Sequence, residues 1–294
     1  MKSYADTISS LCKALSESAR KRYKIELAFD EEHKIGRPPS YANSEFLTNR
    51  AMGDWAESLL QRSLSGAIPD SQVVKYGNSD QIVAGHPDFG KFYLAYQQEL
   101  KETGKRPDIL VFRRENHRKE WGNDISSYDR QSLEPIAKTA VAAIEVRSSK
   151  ILAEKYIAMR KEQERKSARQ APSFTTKLED LRIVCRWILS HGVQHFYVQI
   201  FLDSAYIIPF RRILEIIERG PKDVKLERNT RNQNKPTFHI PITYGDRVGL
   251  FAEQPEFTVE ILEKNARIEP FIRPVGGVLK IDRELLIEVL GFGA

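Results

Sequence analysis

The chain has 294 residues, 41% of them hydrophobic and 29% charged, which is enough length and apolar content for one large domain or two smaller ones with a real core. A net charge of +6 permits a polyanionic partner without requiring one, because only clustered charge makes a binding surface. No apolar run is long enough to span a membrane, the N-terminus carries no apolar h-region, and Cys12 and Cys185 belong to no paired metal-ligand spacing. A reducing, cytoplasmic setting is expected.

Residues 1–40 read as one or two polar helices ended at Gly36-Arg37-Pro38-Pro39. Ser44 is placed to cap a helix running to about Leu64. Met52, Trp55, Ala56, Leu59 and Leu60 recur on one face of it, with Glu57 at the edge of that face. The strand SQVVKYG follows and turns at Gly77-Asn78-Ser79-Asp80. DFGKFYLAYQQELKETG reads as a helix stopped by Gly104, and Arg106 to Phe112 as a compact apolar strand with Asp108 at its entry. The segment from Arg113 to about Pro135 is charged and turn-rich, long for a simple connection.

The next strand runs from Thr139 to about Arg147. KILAEKYIAMRKEQERKSARQ is a basic helical stretch broken at Ala171-Pro172, and TTKLEDLRIVCRWILSHG is a further helix. HFYVQIFLD is a strand with AYIIPF as its hairpin partner, and residues 211–218 are helical. Beyond Gly220 come short β-like pieces, TFHIPITYG, FTVEILE and GGVLKIDRE. There is no internal repeat. The order of elements predicts an α/β fold with a central mixed β-sheet flanked by helices, plus extra C-terminal β-rich structure.

The chemistry concentrates at AAIEVRSSK, residues 142–150. Three Pro-Asp dipeptides occur, at 69–70, 87–88 and 107–108, and only the last opens an apolar strand. If that strand lies beside 139–147, Asp108 and Glu145 converge on one hard divalent cation, for which oxygen ligands suit Mg²⁺. Such an ion generates a hydroxide-like nucleophile and neutralises charge on a phosphodiester. Strand alternation puts Glu145, Arg147 and Ser149 on one face and Val146 and Ser148 on the other, so Arg147 rather than Lys150 is the cation best placed beside Glu145. An isolated trio of this kind also occurs as a surface ion pair.

The arrangement resembles the PD-(D/E)xK nuclease signature, as Pro107-Asp108 and Glu145-Val146-Arg147. Together with FLTNRAMGDWAESLL, VVKYGNSDQIVAG, GKRPDILVF, EVRSSK, SFTTKLEDLRIV and HFYVQIFLD, it is similar to type II restriction endonucleases of the AccI type over residues 38–210. The resemblance implies a restriction-endonuclease-like core. It implies that Asp108 and Glu145 are metal ligands for Mg²⁺, that Arg147 holds the active-site cation position, and that Glu57 is a helix carboxylate directed at the metal. Arginine stands where the family usually has lysine. It is always protonated, so its expected work is holding the scissile phosphate or stabilising developing charge, not taking a proton.

The implied activity is sequence-specific hydrolysis of double-stranded DNA, leaving 5′-phosphate and 3′-hydroxyl ends, with a cognate DNA methyltransferase as a functional partner. Cutting both strands of a two-fold site predicts a homodimer, for which the N-terminal helices are candidate elements. The expected organisation is one domain over 1–294: a helical segment 1–40, a nuclease core 41–218 and a mixed or β segment 219–294. Two other readings stay open on the residues. One is a structure-specific or repair nuclease, and the other is a non-catalytic DNA-binding protein.

Lys150, Lys155, Arg160, Lys161, Arg165, Lys166 and Arg169 follow the site and suit either duplex phosphates or an ordinary solvated helix with Glu154, Glu162 and Glu164. Base-reading residues are sought in 113–130 and 226–235. Lys177, Glu179 and Asp180 open a helix, where capping and surface charge account for them as well as catalysis does. His191 and His195 have ligand-like spacing, but Gly192 between them argues against a shared helix face.

Overall fold

A computed structural model describes every residue except 1, 69, 79–81, 85, 164–170, 229–235, 265–266 and 293–294. Helix α1 (Tyr4–Ser18) starts at a capping box in which Ser3 accepts from the Asp6 amide and Asp6 accepts from Ser3. Its apolar face, Ile8, Cys12 and Leu15, is buried. Extended chain then leads to α2 (Ser44–Ala67), where Asn43 rather than Ser44 makes the cap by accepting from the Phe46 amide at 2.8 Å. Strand β1 (Ser71–Lys75), α3 (Phe89–Glu102) and β2 (Ile109–Arg113) follow.

The turn-rich segment holds one helix that the sequence conceals, α4 (Arg130–Ala137), which starts from an Asp129 cap and carries Pro135 inside it. Proline within a helix is a breaker in any pattern reading, yet Leu133 and Ala137 bury this short helix against the core. Strand β3 (Ala142–Ser148) leads to α5 (Ala153–Gln163). The acidic loop residue Asp203 accepts from the amides of Ala153, Glu154 and Lys155, satisfying the orphan donors at the start of α5.

TTKLEDL divides differently from the sequence expectation: Ser173–Lys177 is a strand, β4, and the helix α6 begins at Leu178 and ends at His191. The aromatic Phe174 followed by the β-branched pair Thr175-Thr176 favours the strand. Next come β5 (Gln194–Ile200), β6 (Ser204–Pro209), α7 (Phe210–Arg219), β7 (Lys225–Glu227), β8 (Thr237–Pro241), β9 (Asp246–Glu253), β10 (Glu256–Lys264), β11 (Arg267–Val275), β12 (Val278–Ile281) and α8 (Arg283–Leu290).

The central sheet has seven strands in the order β1-β2-β3-β5-β6-β9-β12. Among its described strands only the neighbours β3 and β5 run parallel, with Glu145 beside Tyr197 and Arg147 beside Gln199, so the sheet is mixed as expected. The C-terminal segment is not merely an addition, because β9 and β12 complete this sheet. A second sheet, β4-β8-β7, and a ribbon, β10-β11, stand apart from it.

Helices cover both faces. On one, α1, α6 and α7 pack against Leu110, Phe112, Ala143 and Tyr197. On the other, α2 and α8 pack against Ile109, Ile144, Val146 and Val198. The amphipathicity that makes α1 a candidate dimer element is thus used within the chain. The same packing brings Cys12 and Cys185 together as buried thiols with sulfurs 3.2 Å apart. Among the described residues no helix is long and apolar enough to cross a membrane.

His191 and His195 part company at Gly192. His191 ends α6 with its ring stacked on Trp187, whereas His195 lies on β5, buried among Trp187, Tyr197 and Phe210 with neither ring nitrogen partnered. Burial, with Lys105 and Arg147 nearby, lowers the His195 pKa from 6.5 to about 3. The unfolded chain therefore binds a proton in that window that the folded chain refuses, and stability is lost as pH falls below 6.5. Urea unfolding should show about 2–3 kcal/mol less stability at pH 4.5 from this group. His195→Leu should flatten the dependence. Parallel pH profiles for the two proteins would assign the acid sensitivity elsewhere.

Candidate active site

The polar cluster lies at one end of the central sheet, where β2 begins and β3 ends. Antiparallel pairing sets Ile109 opposite Ile144, and one step further along the same register brings Asp108 to Glu145. Asp108 is fixed at three points. Its Oδ2 accepts from the Val146 amide at 2.6 Å, and its carbonyl accepts from the amides of Tyr76 and Gly77 at 2.9 and 3.1 Å. A Cβ on Gly77 would stand 2.9 Å from the Asp108 Cα, so the turn after β1 needs a residue without a side chain. Gly77→Ala should displace Asp108 and slow cleavage about tenfold or more while the thermal midpoint moves little. Full cleavage by that variant would show that this turn does not set the carboxylate.

Glu145 is 1% exposed. Its Oε1 is engaged by the Lys105 ammonium and, at 3.1 Å, by Arg147, while its Oε2 is buried without a hydrogen-bond partner. An orphaned buried carboxylate oxygen is costly and calls for a ligand or donor. Arg147 also donates to Asp180 Oδ2 at 2.7 Å and lies over the Tyr197 ring at 5.7 Å. The guanidinium is thereby clamped between two acids and an aromatic face, and Glu145 and Asp180 hold its pKa well above its ordinary value against the opposing effect of burial.

Lys105 reaches the site because Gly104 has φ +91 and sits against α6, where a Cβ would fall 2.2 Å from the Ile183 carbonyl oxygen. The Lys105 amide then donates to that same carbonyl at 3.0 Å. Burial pushes its ammonium pKa down, but Glu145 more than offsets this and the net direction is upward. Both cations of the site are thus held protonated.

Glu57 comes from α2, on the opposite face of the sheet. Burial and the Asp108 charge both raise its pKa, with Lys75 opposing. Asp108 is raised as well, by burial and then by Glu145. Burial first and carboxylate repulsion second thus act in the same direction on Glu57 and Asp108, with Glu145 among the charges that oppose them. Asp180 is the contrasting case: burial would raise its pKa, but Arg147 and Lys105 bring it below the usual value.

The crowded carboxylates and the orphaned Glu145 Oε2 fit a hard divalent cation held by few protein oxygens. Among the described residues no three His, Cys, Asp or Glu side chains form a ready-made cage.

The fold sets Glu145 and Arg147 on one face as strand alternation predicts and brings Asp108 beside Glu145 through the β2–β3 pairing, with Glu57 feeling the charges of Asp108 and Glu145. It adds three residues the sequence leaves out. Asp180 reads as a helix-dipole carboxylate but turns inward to Arg147. Lys105 reads as loop, although a Gly-Lys directly before a strand-entry Pro-Asp is a usable signal. Tyr197 carries no signal beyond its place in an apolar strand. Of the basic stretch, Arg165, Lys166 and Arg169 lie outside the described residues, and Glu154 pairs with Arg247 at 2.7 Å instead of with its own helix. Of the base-reading candidates, residues 229–235 also lie outside the described residues.

No curated protein and no solved structure matches the chain. The family model described as AccI restriction endonuclease matches residues 4–171 and 159–294, so nearly the whole length is accounted for. With an acidic and basic cluster at the sheet end inside the matched region, the chain belongs to the AccI restriction endonuclease family, the type II restriction endonucleases of AccI type.

Proposed function

We propose that this endonuclease hydrolyses double-stranded DNA at a specific sequence in a Mg²⁺-dependent reaction, working as a single nuclease domain in the cytoplasm. The observation that carries the reading is Glu145 Oε2, a buried carboxylate oxygen without a partner beside Asp108 in a family of DNA-cleaving enzymes. Asp108 and Glu145 would hold the ion, and Glu57 would face it from α2. When bound, Mg²⁺ supplies a hydroxide-like nucleophile and neutralises charge on the scissile phosphodiester.

The chain's own residues do the rest. Arg147, fixed by Asp180 and Tyr197, presents a permanent positive charge where negative charge develops on the phosphate. Lys105 supplies the ammonium that the family pattern puts at position 147, reaching Glu145 from the segment before β2 instead of from β3. Because both are held protonated, neither takes the proton from the attacking water. The products are a 5′-phosphate and a 3′-hydroxyl, and a cognate methyltransferase protects the host site.

Plasmid DNA incubated with the protein should give discrete fragments with Mg²⁺ and none with chelator. Sequencing of the ends would give the recognition site and the end chemistry. Cutting only at junctions or lesions would replace the restriction reading with that of a structure-specific nuclease, and binding without cutting would remove the catalytic one.

A further inference from the structure

A second polar site lies one strand beyond Arg147. Strand β5 runs parallel to β3 and sets Gln199 beside Arg147, so the two side chains share a face of the central sheet. Gln199 is 2% exposed, yet its Oε1 has no hydrogen-bond partner. A buried amide oxygen left unpaired is costly and calls for a ligand or donor. Gln199 lines a cavity of about 130 Å³ between the two sheets. Ser148 and Ile151 close this cavity from the end of β3, and Ser173, Thr175 and His239 close it from the second sheet. Thr175 is the direct partner of His239 in the β4–β8 register, and Ser173 lies two residues before it, so all three belong to one face. The ring of His239 is held there by Glu227, 2.8 Å from its Nε2.

We infer that this cavity receives one nucleobase of the DNA, turned out of the duplex beside the scissile phosphate. The inference rests on the nuclease reading for its ligand, because Arg147 on the neighbouring strand is the group that holds the phosphate. Volume argues against a free small molecule, whose sites run to roughly 300–1,000 Å³. The space is that of about four waters, which suits one planar ring of a ligand already held nearby. Charge argues against a phosphate. Among the described residues no lysine or arginine lines the cavity, and an anion buried without a cation is strongly disfavoured. The Gln199 amide sets an acceptor and a donor side by side, a pattern that a base edge answers with a donor and an acceptor of its own. Neighbouring strands lie about 4.8 Å apart, so a nucleotide whose phosphate sits at Arg147 brings its base to Gln199.

A stacked base cannot enter a space enclosed between two sheets, so this one leaves the stack. Unstacking and unpairing cost least where the base is mispaired, so a mismatch at that position tightens binding. A base that lacks the matching donor leaves Oε1 unpaired in the complex, which is how a buried hydrogen-bonding group rejects the wrong ligand. Gln199 thereby reads one base at a point that no groove contact reaches.

The test uses the full chain and two variants. Gln199→Met keeps the length of the side chain without its amide, and Thr175→Phe fills the cavity from a half-buried strand position. The fluorescent base 2-aminopurine, brighter outside a stack than within one, is placed at each base flanking the cut and at its stacking neighbours. Ca²⁺ replaces Mg²⁺ to hold the complex uncut. The parent should raise the emission at one position, and Thr175→Phe should abolish the rise. Gln199→Met should weaken binding of the cognate duplex about ten- to a hundredfold. Its thermal midpoint should be no lower than the parent's, because the lost acceptor had no partner. Specific cleavage without a rise at any position, or a rise that Thr175→Phe leaves intact, overturns the base site and leaves the nuclease reading standing. Parental affinity or a lowered midpoint in Gln199→Met makes Gln199 a packing residue and overturns the base site as well. If the parent cuts no DNA, random duplexes with one mispair take the place of the cognate one. Tighter binding of the mispair by the parent than by Thr175→Phe then keeps the base site and removes the nuclease reading, whereas equal binding removes both.

Discussion

Asp108→Asn should lower the cleavage rate on the order of a thousandfold while making the metal-free protein more stable. The two effects share one cause. Asp108 sits buried beside Glu145, and its pKa is raised from 3.8 to about 7. Between those values the folded chain holds a proton that the unfolded chain has released, so stability declines as pH rises through the window, and the penalty is fully present above it. Asparagine keeps an oxygen to accept from the Val146 amide but carries no charge to bury. In chelator at pH 8 the variant should be about 1–3 kcal/mol more stable than the parent, and below about pH 4 the difference should vanish. Mg²⁺ should raise the parent's Tm and leave the variant's nearly unmoved, because an ion that binds only the folded state stabilises it in proportion to its occupancy. A variant less stable than the parent in chelator, or one that keeps the Mg²⁺-dependent gain, would falsify the assignment of Asp108 as a ligand position.

That coupling of activity to instability explains which parts of the site are legible in the sequence. Asp108, Glu145 and Arg147 are readable because each is tied to a strand, and strand alternation alone decides that Glu145 and Arg147 share a face. The clamp around them is contributed across the fold. Asp180 arrives from the first turn of α6, where an acidic residue has an adequate local explanation in the helix dipole, and only tertiary packing turns it toward Arg147. Lys105 depends on a left-handed glycine pressed against α6, a contact between segments about eighty residues apart.

The fold divides in the same way. The strong periodic elements, α2, α3, α6 and the core strands, follow from patterning. Helix α4 contradicts its own Pro135, and β4 is hidden because TTK continues without a break into a helix. β12 is only four residues long and β9 mixes charged and apolar residues without clean alternation, so neither announces that it belongs to the central sheet. The ribbon misleads for a different reason: FTVEILE shows clean alternation, but its apolar side faces outward.

Arg147→Ala should lower cleavage about a hundred- to a thousandfold while specific DNA binding survives, since the guanidinium acts on charge that develops at the scissile phosphate rather than on recognition. The substitution alone is a blunt instrument. It also strands Asp180 and weakens the pairing of Glu145, and removing one member of a buried ion pair costs about 3–5 kcal/mol. A loss of activity could then be a loss of fold. The second variant, Arg147→Ala/Asp180→Ala, separates the two. With the uncompensated carboxylate gone, stability should recover most of the way to the parent value, and the two single substitutions should be strongly non-additive in Tm. Cleavage should not recover, because the positive charge is still missing. Lys105 remains in the double variant and still touches Glu145, so any residual rate measures what the ammonium supplies alone. If the double variant regains cleavage along with stability, Arg147 is only a structural tie between β3 and α6, and Lys105 is the cation that serves the phosphate.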